Sequence, residues 1–259
     1  MLTFVGLGLF DEFDITLKGL REVKSADVVY LETYTSPLVG TNVKRLEKLY
    51  EKDVHVLSRE DIEGAPAEKI LIEALHKKVV LLSGGDPMVS TTHVGLRLRA
   101  HEMGVKTKII HAPSIMSAVC GITGLQNYKF GRSATIPFPY EVDGKRIVYE
   151  TPYDVVKENI QRGLHTLLYL DVGERMMTIN EGVSLLFEIA EKKGDEEFCK
   201  LLGVGIARAG SDEAFAKASE LTQLMEIEFP DPPHILVITG RLHFMEKDAL
   251  IVFCDAEIT

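Results

Sequence analysis

Two stretches end an apolar run in glycines: VGLGLFDEFD, residues 5–14, and VVLLSGGDPMVS, residues 79–90. A short, fully apolar run that is partly β-branched suits a strand buried on both faces. Glycine at its tip allows either a tight turn or close approach of the backbone to a ligand. In open parallel sheets ligands bind beyond the carboxyl ends of the strands, so the residues at such tips are the first candidates for a site. Leu9 follows the first run, Asp86 and Val89 the second, and Ser114 and Ile115 follow TKIIHAP. Later in the chain Leu170 ends TLLYL, Ala209 follows GVGIAR and His234 precedes ILVITG. The first five belong to one half of the chain and the last three to the other, which predicts a pocket between two domains.

The glycines raise the question of a dinucleotide. Gly6 and Gly8 fit the start of G-x-G-x-x-G, but Asp11 stands at the third glycine, and DEFD puts three carboxylates where a pyrophosphate would meet a helix N-terminus. Negative charge there repels phosphate, so a ligand without phosphate groups is the better fit. Each candidate also has a plainer reading. Asp86 is suited to accepting hydrogen bonds from a ligand, and equally to capping its own Gly-Gly-Asp-Pro turn. Ser114 suits a helix N-cap. Leu9, Val89, Ile115, Leu170 and Ala209 offer backbone groups and apolar packing, as any strand end does. His234, between Pro233 and Ile235, suits recognition better than proton transfer.

The elements that must position these residues alternate. LTFVGLG, DVVYLE, VHVLS, VVLLSGG and KTKIIHAP read as strands, separated by helical patterns in ITLKGLREVKSA, VKRLEKLYEK, PAEKILIEALHKK and THVGLRLRAHEMG. Such alternation predicts a mainly parallel sheet covered on both faces. After about residue 112 the rhythm changes: PSIMSAVCGITGL reads as a helix, and the segment from 128 to about 154 resists assignment. A second series follows, with strands in HTLLYLDV, KLLGVGIARAG, HILVITG and a terminal ALIVF, and helices in YDVVKENIQRG, INEGVSLLFEIAEKKG and AFAKASELTQLME. The expected fold is therefore α/β, in two α/β domains with mainly parallel or mixed sheets, spanning 1–112 and 113–259.

Of 259 residues 46% are hydrophobic, enough for two cores. Acids outnumber Lys and Arg by 39 to 29, a net charge of −10, which disfavours binding along a phosphate backbone. No apolar run approaches the roughly 18 residues of a membrane span, and a cytoplasmic protein is the expectation. Cys120, Cys199 and Cys254 are far apart and read as buried, reduced thiols; no metal motif is visible.

The sequence resembles the tetrapyrrole methylase superfamily of S-adenosylmethionine-dependent methyltransferases, in its G-x-G first strand and its GGDP loop. Within it, GLGLFDEFDITLKGL, SREDIE, GGDPMVSTTH, HAPSIMSAV, GITGLQNYKFGRSAT, KENIQRGLHTLLYLD, ARAGS and DPPHILVITGRLH follow, in order, the pattern of the archaeal diphthine-forming branch. The resemblance implies a homodimer, S-adenosyl-L-methionine in a cleft between the domains, and translation elongation factor 2 as protein substrate. The amine of a 3-amino-3-carboxypropyl arm on a histidine of that factor would be methylated. It also implies that Leu9, Asp86, Val89, Ser114, Ile115, Leu170, Ala209 and His234 contact the cofactor, with no metal, nucleic acid or membrane involved.

Two other readings stand beside it. Methylation of a precorrin-type tetrapyrrole asks for a host of polycarboxylates, which an acidic chain with no Arg-rich stretch serves poorly. A small-molecule sensor would bind without turnover. Transfer to an amine needs a neutral lone pair roughly 3–3.5 Å from the methyl carbon, hence removal of a proton. No residue is identified from sequence as the base. Tyr30, Tyr34 and Phe130 are candidates to line a pocket for a methylated ammonium, with aromatic core as the plainer account.

Overall fold

The computed structural model describes residues 1–173 and 175–258 and divides into two compact units, Met1–Ile115 and Met116–Thr259. The first unit is built on strands β1 (Leu2–Gly6), β2 (Val28–Glu32), β3 (Val54–Leu57), β4 (Val79–Ser83) and β5 (Thr107–Ile110), with helices α1 (Leu17–Lys24), α2 (Val43–Tyr50), α3 (Arg59–Glu63), α4 (Ala67–His76) and α5 (His93–Glu102). Every strand pair is parallel, in the order β3-β2-β4-β1-β5. Leu2–Gly6 and Val79–Ser83 are buried along their whole length, as apolar runs at the centre of a doubly covered sheet should be.

Local signals set where the helices begin. Thr16 caps α1 by accepting from the Gly19 amide, Asn42 caps α2 from Arg45, and Ser58 with Asp61 forms a reciprocal capping box on α3. The helices fall into two layers. Val5, Val80 and Leu82 pack with Val23, Leu46 and Tyr50 of α1 and α2. Leu2, Phe4, Val79 and Leu81 pack on the opposite face with Ile62, Ile70, Leu71 and Leu96 of α3, α4 and α5. The neighbours β1 and β4 therefore send their following chain to opposite faces, which opens a crevice between their carboxyl ends.

The second unit holds helix α6 (Ile115–Thr123), which starts at the boundary, then β6 (Ala134–Ile136), the hairpin β7 (Tyr140–Val142) and β8 (Lys145–Ile147), α7 (Thr151–Gln161), β9 (Thr166–Leu170), α8 (Ile179–Lys192), β10 (Leu202–Ala207), β11 (Phe215–Glu220), α9 (Leu221–Leu224), β12 (His234–Ile238) and α10 (Phe244–Cys254). Its main sheet runs β11-β10-β12-β9-β6 and is mixed: β6 and β9 are parallel, and the other pairs are antiparallel. Leu168, Leu170, Leu236 and Ile238 meet Val156 of α7 and Val183, Leu186 and Ile189 of α8 in its core. At its other end Glu246, fully buried, accepts hydrogen bonds from the amides of Gln126 and His243, from His165 Nε2 and from Lys129. That carboxylate ties the start of β9 to the first turn of α10.

Two expected elements differ. AFAKASELTQLME is strand β11 followed by the single turn α9, and ALIVF lies inside helix α10 instead of forming a strand. Ala, Lys and Glu favour helix in isolation, yet residues 215–220 complete the edge of a sheet; tertiary pairing overrides propensity. A capping box between His243 and Glu246 starts α10 and carries it through the β-branched run. Of the cysteines only Cys254 is buried, its thiol pushed up to about 11 by desolvation; Cys120 and Cys199, expected to be buried, are half-buried. The segment that sequence left unassigned contains β6 and the two-stranded hairpin.

Candidate functional site

At the crevice of the first unit the two glycine loops bond to each other. The Gly8 amide donates to the Gly85 carbonyl at 3.3 Å and the Gly85 amide returns to the Gly8 carbonyl at 2.6 Å. Both glycines have positive φ, +85° and +65°, which side chains rarely tolerate. Gly6 lies beneath them: a Cβ there would sit 2.5 Å from the Gly85 carbonyl oxygen and 2.7 Å from Ala112 Cβ. The loops after β1, β4 and β5 thus close over the end of the central strand, and only glycine fits.

The loop after β1 carries its own anion. Asp14 Oδ2 accepts from the amides of Leu9, Phe10 and Asp11 at 3.1, 2.7 and 3.4 Å. These are the donors a phosphate would need, so a side chain already occupies the phosphate position of a dinucleotide loop. Glu12 is also buried, held by Arg45; burial pushes its pKa up, but bonds from Thr41 and Arg45 outweigh this and keep it below the ordinary range.

Asp86 is 7% exposed. Its Oδ1 accepts from the Met88 amide at 2.9 Å, the turn-capping role weighed for it, and its Oδ2 accepts from the Ala112 amide at 3.3 Å. The same Oδ2 meets His111 Nδ1 at 2.8 Å. A carboxylate has about four acceptor positions, so three internal bonds leave it one to offer. The turn is anchored from below: the Pro87 carbonyl accepts from Thr91 Oγ1 at 2.7 Å and from His93 Nδ1 at 2.9 Å. His93 faces Glu32 at 3.7 Å, both side chains fully buried, and desolvation raises the Glu32 pKa. Ser114 is buried, and a Cβ on Gly85 would lie 3.9 Å from its Cβ; Leu9, Val89 and Ile115 are half-buried. All five candidates of this unit therefore gather at the carboxyl ends of three adjacent strands. Sequence reasoning passed over His111, which joins them two residues before Pro113; its signal was the pairing of HAP after one strand with GGDP after another.

In the second unit the strand register aligns residues far apart in sequence. Ala207 pairs with His234, Ile235 with Tyr169, and Ile136 with Leu170, so Leu170, His234 and the chain leading to Ala209 share one edge of the sheet. The His234 ring is engaged internally: Nδ1 accepts from the Ile179 amide at 3.2 Å and Nε2 donates to the Pro230 carbonyl at 2.6 Å. Burial lowers its pKa and keeps this ring neutral. What it can offer a ligand is backbone and one ring face. Beside this edge the hairpin segment forms a cavity of about 400 Å³, lined by residues including Phe138, Tyr140, Arg146, Arg175 and Glu181. The Arg175 guanidinium lies 4.5 Å over the Phe138 ring.

The three aromatic candidates do not join either group. Tyr30 donates to Glu73 of α4, Tyr34 carries the Arg59 guanidinium over its ring, and Phe130 packs edge-on against His165 at the opposite end of β9 from Leu170. Among the described residues no cluster suited to a metal ion is found.

A family model described as Tetrapyrrole (Corrin/Porphyrin) Methylases matches residues 1–193. A diphthine synthase of Methanosarcina mazei is 54% identical over 98% of this chain and 96% of its own length. One from Methanocella arvoryzae is 51% identical over 96% of both. A crystal structure of diphthine synthase superposes with a TM-score of 0.91 at 44% identity, covering 98% of this chain and 96% of that one. The parallel sheet with its glycine-closed crevice, the mixed second sheet and relatedness along nearly the whole length agree: the chain belongs to the tetrapyrrole methylase family and, within it, to the diphthine synthases.

Proposed function

We propose that this protein is an S-adenosyl-L-methionine-dependent methyltransferase acting on the amine of the 3-amino-3-carboxypropyl-histidine of translation elongation factor 2, giving diphthine. The observation that carries the reading is the full-length relatedness to diphthine synthases. The geometry supports it at the loop after β1, where Asp14 fills the phosphate position. The cofactor has an adenine, a ribose diol, an amino acid and a sulfonium, and no phosphate, so it fits a loop whose anion-binding amides are taken.

The residues proposed to hold it are Leu9, Asp86, Val89, Ser114 and Ile115 of the first unit and Leu170, Ala209 and His234 of the second. Asp86 has one acceptor position left for a hydroxyl or an ammonium. The half-buried Leu9, Val89, Ile115 and Ala209 and the buried Leu170 offer apolar contact that excludes water. His234 contributes its backbone and ring face. When bound, the cofactor supplies a methyl group open to in-line displacement by an amine. The protein's task is then to align a deprotonated amine with it, and alignment alone can supply several kcal/mol of the barrier.

The same reading includes a homodimer. Helix α10 leaves Phe244, Met245, Val252 and Phe253 more than half exposed, an apolar face suited to a second copy. The test of the function is mass spectrometry of elongation factor 2 bearing the modified histidine after incubation with the protein and cofactor. Mass gains in steps of one methyl on that histidine are expected. No gain, with methyl transfer to a precorrin instead, would overturn the proposal in favour of a tetrapyrrole substrate.

A further inference from the structure

Resting on that reading, we propose that His111 is the general base that takes the proton from the substrate ammonium, with Asp86 as its positioning partner. Methylation consumes one proton acceptor per transfer, because only the neutral amine has a lone pair to attack with.

The geometry of the first unit supplies such an acceptor. Asp86 Oδ2 already accepts from the Ala112 amide, and Oδ1 from the Met88 amide. Both Asp86 oxygens are thus acceptors, and a carboxylate has no hydrogen of its own to give. The 2.8 Å contact therefore places the ring hydrogen of His111 on Nδ1. Nε2 is left with its lone pair, and it has no hydrogen-bond partner among the described residues. The His111 side chain is 72% exposed while that of Asp86 is 8% exposed. A buried carboxylate fixing the tautomer of an open imidazole is the arrangement a general base needs. Its position is equally specific: Ser114 follows three residues later, and the Asp86 turn lies across β1, so the ring stands among the proposed cofactor contacts.

The Nε2 lone pair forms a bond to hydrogen, the ammonium N–H bond breaks, and its electron pair remains on the substrate nitrogen. The imidazolium so formed faces the Asp86 carboxylate, which stabilises it. The freed pair then bonds the methyl carbon as the carbon–sulfur bond breaks, its electrons going to sulfur, which becomes a neutral thioether. The exposed ring returns its proton to water, ready for another round.

Two measurements test this. In the protein alone, imidazole nitrogen NMR should find His111 with hydrogen on Nδ1, and Asp86→Asn should abolish that preference; hydrogen on Nε2 in the wild type would overturn the inference. In single turnovers at neutral pH and saturating cofactor, with the variant shown to be folded by its melting transition, His111→Ala should slow methyl transfer about 100-fold, the lower end of general-base contributions. Added imidazole, or a rise in pH that frees the amine, should restore much of the loss. A wild-type rate and pH profile in His111→Ala, or a loss that neither treatment restores, would overturn it. Absence of methyl transfer by the wild type itself would instead strike the function proposed above, and this inference with it.

Discussion

A single added methyl group tests how closely the loops meet. Gly6→Ala would drive a Cβ to 2.5 Å from the Gly85 carbonyl oxygen, so the β4 and β5 loops must move apart. We expect a loss of about 1–3 kcal/mol in denaturant stability, the usual cost of overpacking, and weaker cofactor binding by calorimetry. Unaltered affinity would separate the loop contact from the site. Asp86→Ala removes the partner of two amides and of His111, and leaves buried donors unsatisfied at about 1–3 kcal/mol. The protein should stay folded while cofactor affinity falls. Residue types alone made Asp86 a candidate, because the Gly-Gly-Asp-Pro turn announces itself. His111 was not legible in the same way: it lies 25 positions from Asp86, and only the placing of β1 between β4 and β5 brings the two loops together.

At the scale of elements, the central strands β1 and β4 were readable because burial on both faces demands largely apolar runs. The second unit was less so. Residues 216–220 are small or charged because β11 is an edge, with only Ala218 of the strand buried. The apolar end of α10 looked like a strand because it has no polar outer face. Its first turn also carries a pH dependence. Hydrogen bonds from the His243 amide, Lys129, the Gln126 amide and His165 overcome burial and hold Glu246 at about 2, against 4.5 in the unfolded chain. A depressed carboxylate pKa gives stability present above pH 4.5 and lost as pH falls toward 2, worth about 3 kcal/mol. His165 and His234, lowered by burial, add a loss that starts as pH drops below 6.5. Urea midpoints should therefore fall steadily from pH 7 downward. Glu246→Gln should be less stable at pH 7 and should lack the steepest acid limb; a parallel curve would remove Glu246 as its cause.

For the whole molecule, sequence conveyed the division into two α/β parts. A charge of −10 remains the simplest reason to expect no affinity for duplex DNA at physiological salt. It did not convey which surface would meet the proposed second copy, because that depends on which side of α10 faces outward. Val252, 72% exposed, tests it. Val252→Asp should convert a dimer to a monomer in sedimentation without lowering the melting temperature of the fold; an unchanged mass would move the interface elsewhere. The resemblance supplied the candidate list in both parts, and within the second unit backbone register explains how Leu170, His234 and the chain leading to Ala209 share an edge. Asp14 has a consequence for life in a crowded cell. ATP and the nicotinamide dinucleotides are among the most abundant adenine-bearing molecules there, and each brings phosphates that would have to evict this carboxylate from its three amides. With the cofactor held as proposed, the loop would work as a filter against competitors that share half of its structure, selecting by what it already holds.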